Sequence, residues 1–191
     1  MRSFKILVLL FLFSVLATAN ASAQRRRGYS YTEIGYLANI NGSTPYGRLN
    51  AFRISTGLGK MVTDKVSLGF AITSDSYSEG SSQSDFQDYR SRTYFNVLPI
   101  TLNAAYFINP DLSGVHLDLY GGYAPAIFRS YNQGFNAGAG VAYGFRISPG
   151  FIINAQTGYN YQQLDTGGSG PASIGDANVS TIRISVGLMF H

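Results

Sequence analysis

The chain has 191 residues, including 22 Gly, 14 Tyr and 13 Phe, and it contains neither Cys nor Trp. One domain is expected at this length, and a charged fraction of only 13% with 14% aromatics excludes a disordered chain. The absence of Cys excludes a disulfide framework and a Cys-ligated metal site. A formal net charge of +4 leaves no basic face of the size that nucleic-acid binding requires.

The first 23 residues have the three parts of a secretory signal peptide. Arg2 and Lys5 are the basic part, residues 6–16 are an apolar run, and residues 21–23 are a small-x-small cleavage site. A membrane anchor helix would need about 20 apolar residues. We therefore expect cleavage near Ala23 and export. Residues 24–28 would form a basic N-terminal tail, either solvated or touching anionic head groups, and residues 29–191 would form the folded domain.

The last 13 residues, Val179 to His191, alternate strictly between apolar and small or polar side chains. This period of two predicts a β-strand, and its ten residues from Thr181 to Phe190 match the length of a transmembrane β-strand. Seven further stretches alternate in the same way: about Tyr29–Ile40, Arg48–Met61, Val66–Ser76, Arg92–Phe107, Val115–Phe128, Phe135–Ile147 and Phe151–Gln162. We expect Pro99 to break the fourth of the eight strands and Pro125 to end the fifth.

The connections between these strands alternate in length. Those after strands two, four and six are short, and the others are longer on the whole. Short periplasmic turns, long extracellular loops and an even strand number are typical of outer-membrane barrels. The sequence thus predicts an all-β fold, an eight-stranded antiparallel up-and-down transmembrane β-barrel. A soluble sandwich with the apolar face inside would show the same alternation.

Aromatic residues near the strand ends favour the membrane interpretation, because two aromatic girdles flank the apolar band of a membrane barrel. The expected periplasmic girdle is Tyr29, Tyr31, Tyr106, Phe107, Phe145, Phe151 and Phe190. The expected outer girdle is Tyr36, Phe128, Phe135, Tyr159 and Tyr161.

Charged residues on the opposite faces are predicted to point into the barrel and form a lumenal polar network: Glu33, Arg53, Asp118, Arg146 and Arg183, together with His116, Asn154 and Gln156. Because the first and last strands must pair, we expect an ion pair between Glu33 and Arg183. Arg53 and Arg146 would need acids such as Glu33 or Asp118, since an unpaired buried charge is costly. The network is interpreted as structural, filling the interior and fixing the strand register; an ion or proton path is the alternative.

The sequence predicts no catalytic, cofactor-binding or metal-binding residues. Some eight-stranded outer-membrane barrels modify lipid A, and a hydrolase of that kind needs a histidine beside a serine. His116 has Asp118 on the same face, but the sequence places no serine next to it. No phosphate-binding glycine loop, nucleotide motif or metal-ligand cluster occurs.

The mature chain resembles the small outer-membrane β-barrels of the OmpA/OmpX-like and opacity types. The matching segments are the cleavage site, residues 96–102 (Asn-Val-Leu-Pro-Ile-Thr-Leu), the glycine-rich residues 137–144 and the terminal Leu188-Met189-Phe190. The resemblance implies an outer-membrane location, contact with outer-membrane lipid, and Phe190 as a terminal signal for the barrel-assembly machinery. The chain departs from the pattern by ending in His191, and no periplasmic peptidoglycan-binding domain is expected.

Three functions remain open at this stage. The first is a structural or adhesion-like surface protein that binds an extracellular ligand through loops near Tyr77–Ser91 and Gln163–Asn178. The second is a lipid-modifying enzyme similar to a lipid A deacylase, and the third is a small-solute channel.

Overall fold

The computed structural model describes residues 28–41, 48–79, 94–126, 131–164 and 177–191. The predicted signal peptide, nearly all of the basic tail and most of the predicted extracellular loops lie outside these ranges. The strands are β1 Gly28–Asn39, β2 Leu49–Met61, β3 Val66–Glu79, β4 Tyr94–Val97, β5 Ile100–Phe107, β6 Gly114–Ala124, β7 Tyr131–Asn132, β8 Gly134–Ser148, β9 Phe151–Leu164 and β10 Ala177–Phe190. Within these ranges no helix has the length and apolarity that a membrane crossing requires.

The sheet closes on itself. Each long strand pairs antiparallel with the strands next to it in sequence, and β1 pairs with β10. Segments β4 and β5 are two halves of one barrel strand, because Pro99 has no backbone donor and interrupts the ladder as predicted. The Pro99 carbonyl still accepts a hydrogen bond from Thr73 N at 2.9 Å. The two-residue β7 lies beside β4 at one end of the barrel, so the count of full strands is eight, as predicted.

The strand register gives the stagger of the barrel. A walk along directly paired residues starts at Tyr29 and returns to β1 at Asn39, ten residues further on. The row is Tyr29, Gly59, Gly69, Asn103, Tyr120, Gly138, Asn160, Thr181 and Asn39. A closed eight-stranded sheet with this stagger needs strands tilted by roughly 35–45° from the axis.

Apolar side chains cover the outside of the barrel. Leu102 is 76% exposed, Ile184 61% and Leu119 60%, and the same outward positions on the other strands carry Ile, Leu, Val, Phe and Tyr. The inward positions are small or polar. In water such a surface would be strongly unfavourable, whereas in hydrocarbon it is the surface that a closed sheet should present. Because the apolar side chains point outward, the structure confirms the predicted transmembrane β-barrel and not the soluble alternative.

Inward glycines make room for large inward side chains on the neighbouring strands. A Cβ atom at Gly59 would lie 2.3 Å from the Tyr29 ring, and one at Gly138 would lie 2.3 Å from the Tyr120 hydroxyl. Both distances are far below van der Waals contact, so the rings lie directly on glycine backbone. This packing fills the narrow interior of an eight-stranded barrel.

The predicted periplasmic girdle is only half right. Tyr106, Phe145 and Phe190 face outward and are 40–51% exposed, but Phe107 is fully buried inside the barrel. Tyr29 is buried there too, and the rings of Tyr29 and Phe107 meet edge to face. Together with Leu112, Ile152 and Met189 they form a lower apolar cluster. The prediction failed because adjacent aromatics such as residues 106 and 107 must point to opposite faces of a strand.

Of the predicted outer girdle, Tyr36, Phe135 and Tyr159 face outward, and Phe128 lies outside the described residues.

Candidate functional site

Arg53 lies at the centre of the polar interior. Its guanidinium binds the Asp75 carboxylate through two hydrogen bonds, Nε to Oδ1 at 2.7 Å and Nη2 to Oδ2 at 2.6 Å. Nη1 donates to the Tyr120 hydroxyl at 3.0 Å, and Nη2 also donates to Asn160 Oδ1 at 2.9 Å. The side chains of Arg53 and Asp75 are only 3% and 0% exposed. This bidentate pair therefore joins four strands across the barrel, and several polar partners offset its desolvation.

Tyr120 is held between two arginines. The Cζ atoms of Arg53 and Arg183 lie 5.7 Å and 5.0 Å from its ring centroid, within the range of cation–π attraction. The Tyr120 hydroxyl donates to Asn160 Oδ1 at 2.7 Å. Arg183 Nη2 binds Asp118 Oδ2 at 2.6 Å. The two ion pairs thus share one aromatic ring between them.

The expected ion pair between Glu33 and Arg183 is wrong. Glu33 lies opposite Gly187 on β10, whereas Arg183 lies opposite Leu37, four residues further along β1. Four residues span about 13 Å of strand, so Glu33 and Arg183 are not paired across the ladder. Arg183 binds Asp118 on β6 instead. Glu33 Oε1 is left buried without a hydrogen-bond partner.

Contrary to the prediction, the side chain of Arg146 does not point into the lumen. Its side chain is 35% exposed and pairs at 3.1 Å with Asp111, in the turn between β5 and β6. Arg146 is paired with Ile152, whose side chain is buried inside the barrel, so the backbone keeps the predicted parity. Because Arg146 lies near the end of β8, its long side chain reaches the β5–β6 turn and not the lumen. The pKa of Asp111 is lowered, chiefly by the hydrogen bond from the Ser113 hydroxyl and also by the charge of Arg146.

The sequence reasoning missed the three side chains that bind Arg53: Asp75, Tyr120 and Asn160. Arg53 was expected to find Glu33 or Asp118, and its acid is Asp75. A signal was available, because Asp75 lies two residues after Thr73 and therefore on the inward face of its strand. Tyr120 and Asn160 also lay on faces predicted to be inward. Their meeting depends on the stagger of the barrel, which the alternation alone does not give.

A cavity of about 80 Å³ lies inside the barrel beside this network. Its lining includes five buried polar atoms without hydrogen-bond partners: Glu33 Oε1, His116 Nδ1, Asp118 Oδ1, Asn154 Oδ1 and Arg183 Nε. Gln156 also lines it. Among the described residues, no three His, Asp or Glu side chains are grouped closely enough to hold a metal ion.

His116 is placed against packing partners and not against a nucleophile. Its ring stacks on Phe107 at a centroid distance of 4.6 Å, and its Nδ1 atom has no hydrogen-bond partner. Asp118, the acid that could orient it, accepts a hydrogen bond at Oδ2 from Arg183 Nη2. The hydrogen-bonded chain from serine through histidine to acid, which acyl transfer needs, is therefore not assembled at His116.

The polarity of the strands inverts at the end of the barrel that carries the long loops. There the inward side chains are apolar and fully or nearly fully buried, and we call them the upper apolar cluster: Leu37, Leu49, Ala51, Tyr77, Phe95, Val97, Ala124, Leu164, Ala177 and Val179. On β3, β4, β9 and β10 the outward side chains at the same level are polar and hydrogen-bond along the wall. Ser76 Oγ donates to Asn96 Oδ1 at 2.9 Å, and the Tyr161 hydroxyl donates to Asn178 Oδ1 at 2.8 Å.

Strand lengths agree with this inversion. β3, β9 and β10 each have 14 residues, whereas about 9–11 tilted residues cross a bilayer. β3 continues to Glu79, three residues beyond the predicted end at Ser76. The additional residues carry the polar wall and the apolar interior of a water-soluble barrel. The strands therefore extend past the apolar belt into an environment with the polarity of water.

Phe190 ends β10 on the outer surface. It is 40% exposed, and its ring lies 5.2 Å from that of Phe151 on the paired strand. The following His191 N donates to Gly150 O at 3.1 Å, so the chain stays attached to the β8–β9 turn beyond the last strand. This geometry leaves the Phe190 ring open to contact from outside the barrel.

Comparison with known proteins supports the fold. No protein-family model matches the chain, and no curated protein matches it. Among solved structures, Ail, the attachment invasion locus protein of Yersinia pestis, solved with the heparin analogue sucrose octasulfate, is 16% identical and has a TM-score of 0.51 over 85% of this chain and 98% of that chain. Neisserial surface protein A is 19% identical, with a TM-score of 0.46 over 85% and 96%.

A de novo designed transmembrane β-barrel is 14% identical, with a TM-score of 0.44 over 85% of this chain and 92% of that chain. The likeness to Ail is one of architecture. It shows that the chain has the closed eight-stranded barrel of small outer-membrane proteins.

Proposed function

We propose that the chain is an outer-membrane protein that acts at the cell surface through its extracellular loops. The observation that carries this proposal is the inversion of polarity described above. An apolar belt matched to lipid continues into a polar-walled extension with its own apolar interior. Such an extension holds the loops away from the membrane, where a ligand can reach them. Export after cleavage near Ala23, and recognition of Phe190 by the assembly machinery, belong to the same proposal.

The loops suit an uncharged or weakly charged ligand. Residues 80–93 contain two acidic and two basic side chains, residues 165–176 contain two acidic ones, and both segments are rich in Gly and Ser. Sequence of this kind binds through hydrogen bonds and aromatic contacts more than through net charge. A polyanion is therefore not the favoured ligand, although the comparison structure of Ail contains one.

The filled interior argues against the solute channel. The upper apolar cluster occupies the loop end of the barrel, the Arg53–Asp75 pair occupies the middle, and the lower apolar cluster occupies the periplasmic end. Eight strands leave an interior that side chains just fill. The lipid-modifying alternative is disfavoured by the surroundings of His116, whose ring packs on Phe107.

Shortened loops on a folded barrel test the proposal. In one variant, residues 81–92 and 166–175 are each replaced by Asn-Gly, which leaves every described strand intact. Variant and full chain are expressed in a Gram-negative host. Outer-membrane fractionation and a mobility shift on boiling establish location and folding. Attachment of intact cells to plates coated with extracellular-matrix proteins and with neutral glycans is then measured.

We expect both proteins to fractionate with the outer membrane and only the full chain to promote attachment. Equal attachment by the two proteins would refute a role of the loops. Ohmic single-channel currents from the purified full chain in planar bilayers would favour the channel instead. Recovery of a folded protein in plain buffer without detergent would refute the membrane location itself.

A further inference from the structure

We propose that one side of the short-turn end of the barrel binds the negatively charged headgroups of phospholipids in the membrane leaflet that it faces. The site, which we call the basic rim, consists of Lys60, Lys65 and the three arginines at residues 25–27. Lys60 lies at the end of β2 and Lys65 in the β2–β3 turn, and both side chains are exposed. The inference rests on the membrane location proposed above and on no ligand of the loops.

Lys60 points outward, next to the apolar belt. A Cβ atom at Gly59 would meet the ring of Tyr29 inside the barrel, so residue 59 faces inward and residue 60 faces outward. The partner of Lys60 on β3 is Leu68, which is 53% exposed on the lipid side. A lysine in such a place lays its aliphatic stem along the apolar surface and extends its ammonium group to the interface. Lys60 therefore places a positive charge at the level of the headgroups.

The three arginines are attached to the same place. They directly precede Gly28, and Gly28 is the partner of Lys60 on β1. Consecutive Cα atoms are about 3.8 Å apart, so the Cα atoms of residues 25–27 lie within about 11 Å of that of Gly28. Asp64 is the one acidic residue in the segments 25–28 and 60–65, which contain five basic residues. The basic rim therefore carries a large excess of positive charge.

The aromatic girdle is interrupted at the basic rim. Four of the other five full strands carry an outward ring near the short-turn end: Tyr106, Phe145, Phe151 and Phe190. On β1, β2 and β3 the outward positions nearest this end are Gly28, Lys60 and Val66. Interfacial rings anchor a protein at the headgroup level whatever the charge of the lipid, whereas Lys and Arg attract anionic lipids. On these three neighbouring strands the anchors are therefore groups that select lipids by charge.

The opposite side of the same end does not offer this charge. The β8–β9 turn, residues 148–150, contains no charged residue. Arg146, near the end of β8, pairs with Asp111 at 3.1 Å. Selection of anionic lipids should therefore be confined to the side of β1–β3. β9 lies four full strands away from β3 around the barrel and supplies an internal reference.

A single Trp reports the lipids beside each position, because the chain contains no Trp of its own. Val66→Trp places it at the basic rim, and Phe151→Trp places it at the same end on β9. Each mature protein is refolded into phosphatidylcholine vesicles that contain brominated phosphatidylcholine or brominated phosphatidylglycerol. Quenching of the Trp emission gives the relative affinity of the two lipids. We expect phosphatidylglycerol to be preferred by about threefold or more at position 66, and neither lipid to be preferred at position 151.

Charge-removing variants of the Val66→Trp protein assign the preference to its residues. Lys60→Gln combined with Lys65→Gln should lower it, and replacement of the three arginines by Gln should lower it as well. Arg48→Gln removes an exposed positive charge next to the other end of β2 and should leave the preference unchanged. About 1 M salt should abolish it, because the Debye length falls to about 3 Å. The mobility shift on boiling establishes that each variant is folded, and Leu68→Trp replaces Val66→Trp if that protein does not fold.

The same preference at positions 66 and 151 would overturn the proposal, because the attraction would then belong to the whole protein. A double lysine variant that keeps the full preference would overturn it too, since Lys60 and Lys65 would then take no part. Failure of both brominated lipids to quench either Trp would instead refute the membrane location on which the inference rests.

Discussion

Replacing Asp75 by Asn removes the charge that neutralises Arg53 and changes almost no volume. Arg53 Nε and Nη2 both bind Asp75 in the wild-type chain, and both side chains are almost fully buried. In the variant, Arg53 keeps Tyr120 and Asn160 as neutral partners. The charge of Arg53 is then uncompensated. One of the two carboxylate oxygens at position 75 is replaced by an NH2 group, which cannot accept a hydrogen bond from Arg53.

The expected loss is large because a buried pair is broken from one side. Removing one partner of a buried ion pair typically destabilises a protein by about 3–5 kcal/mol, since the remaining charge stays buried. Replacing both partners by Leu removes both charges and should recover most of that loss. An exposed pair behaves differently. Asp111→Asn, which breaks the contact with Arg146 at the rim, should change stability by less than about 1 kcal/mol.

Urea unfolding in lipid vesicles measures these differences. Because the chain contains no Trp, far-ultraviolet circular dichroism and the heat-dependent gel shift are the appropriate signals. Asp75→Asn should unfold at clearly lower urea than wild type, and the double Leu variant should fall between the two. The reasoning fails if Asp75→Asn is as stable as wild type. It also fails if the double variant is no more stable than the single one, because the loss would then come from packing and not from an unpaired charge.

Two further predictions concern packing and the lipid belt. Gly138→Ala should destabilise the barrel by about 1–3 kcal/mol in the same unfolding assay, because the new methyl group collides with the Tyr120 ring. Gly121→Ala is its control, since a Cβ there meets nothing within 4 Å, and equal losses would contradict the explanation. Leu102→Arg places a charge in the lipid belt and should lose about 2–4 kcal/mol, whereas Ser78→Arg on the polar wall should lose little. A large loss of stability in Ser78→Arg would show that the hydrocarbon region extends as far as residue 78.

The alternation of side chains was sufficient to predict the strands and their number, because a period of two can be read within each strand. Closure of the sheet followed from the membrane location, because lipid offers no hydrogen-bond partners to an open edge. Pro99 and Pro125 were predicted for the same local reason: a missing donor interrupts a ladder wherever it lies. The partners inside the barrel were not predictable in this way. Glu33 and Arg183 lie on paired strands and still miss each other by four residues, and only the stagger of the closed sheet shows this.

Local exceptions account for the other errors. Arg146 has the predicted inward parity, but it lies near the end of β8, where its side chain reaches the turn that contains Asp111. Phe107 was counted as a girdle residue although its neighbour Tyr106 already occupied the outward position. The acid that pairs with Arg53 was missed although Asp75 lay inside the predicted third strand, because the register that sets it opposite Arg53 on β2 is not given by alternation. The errors at Arg146 and Phe107 arose at the ends of β8 and β5, where alternation is least informative.

The inversion of polarity follows from the need to specify register in two solvents. A strand that was apolar on both faces could slip by one residue without penalty, so one face must remain distinct from the other along the whole length. In lipid the outer face must be apolar, and the inner face at Arg53 and Arg183 is therefore polar. Beyond the bilayer the outer face must be polar, and the inner face can become apolar, as it does at Leu37 and Val179. On β10 the outward side chains change from polar to apolar between Ser180 and Ile182. The sequence of that strand therefore indicates where the hydrocarbon region begins.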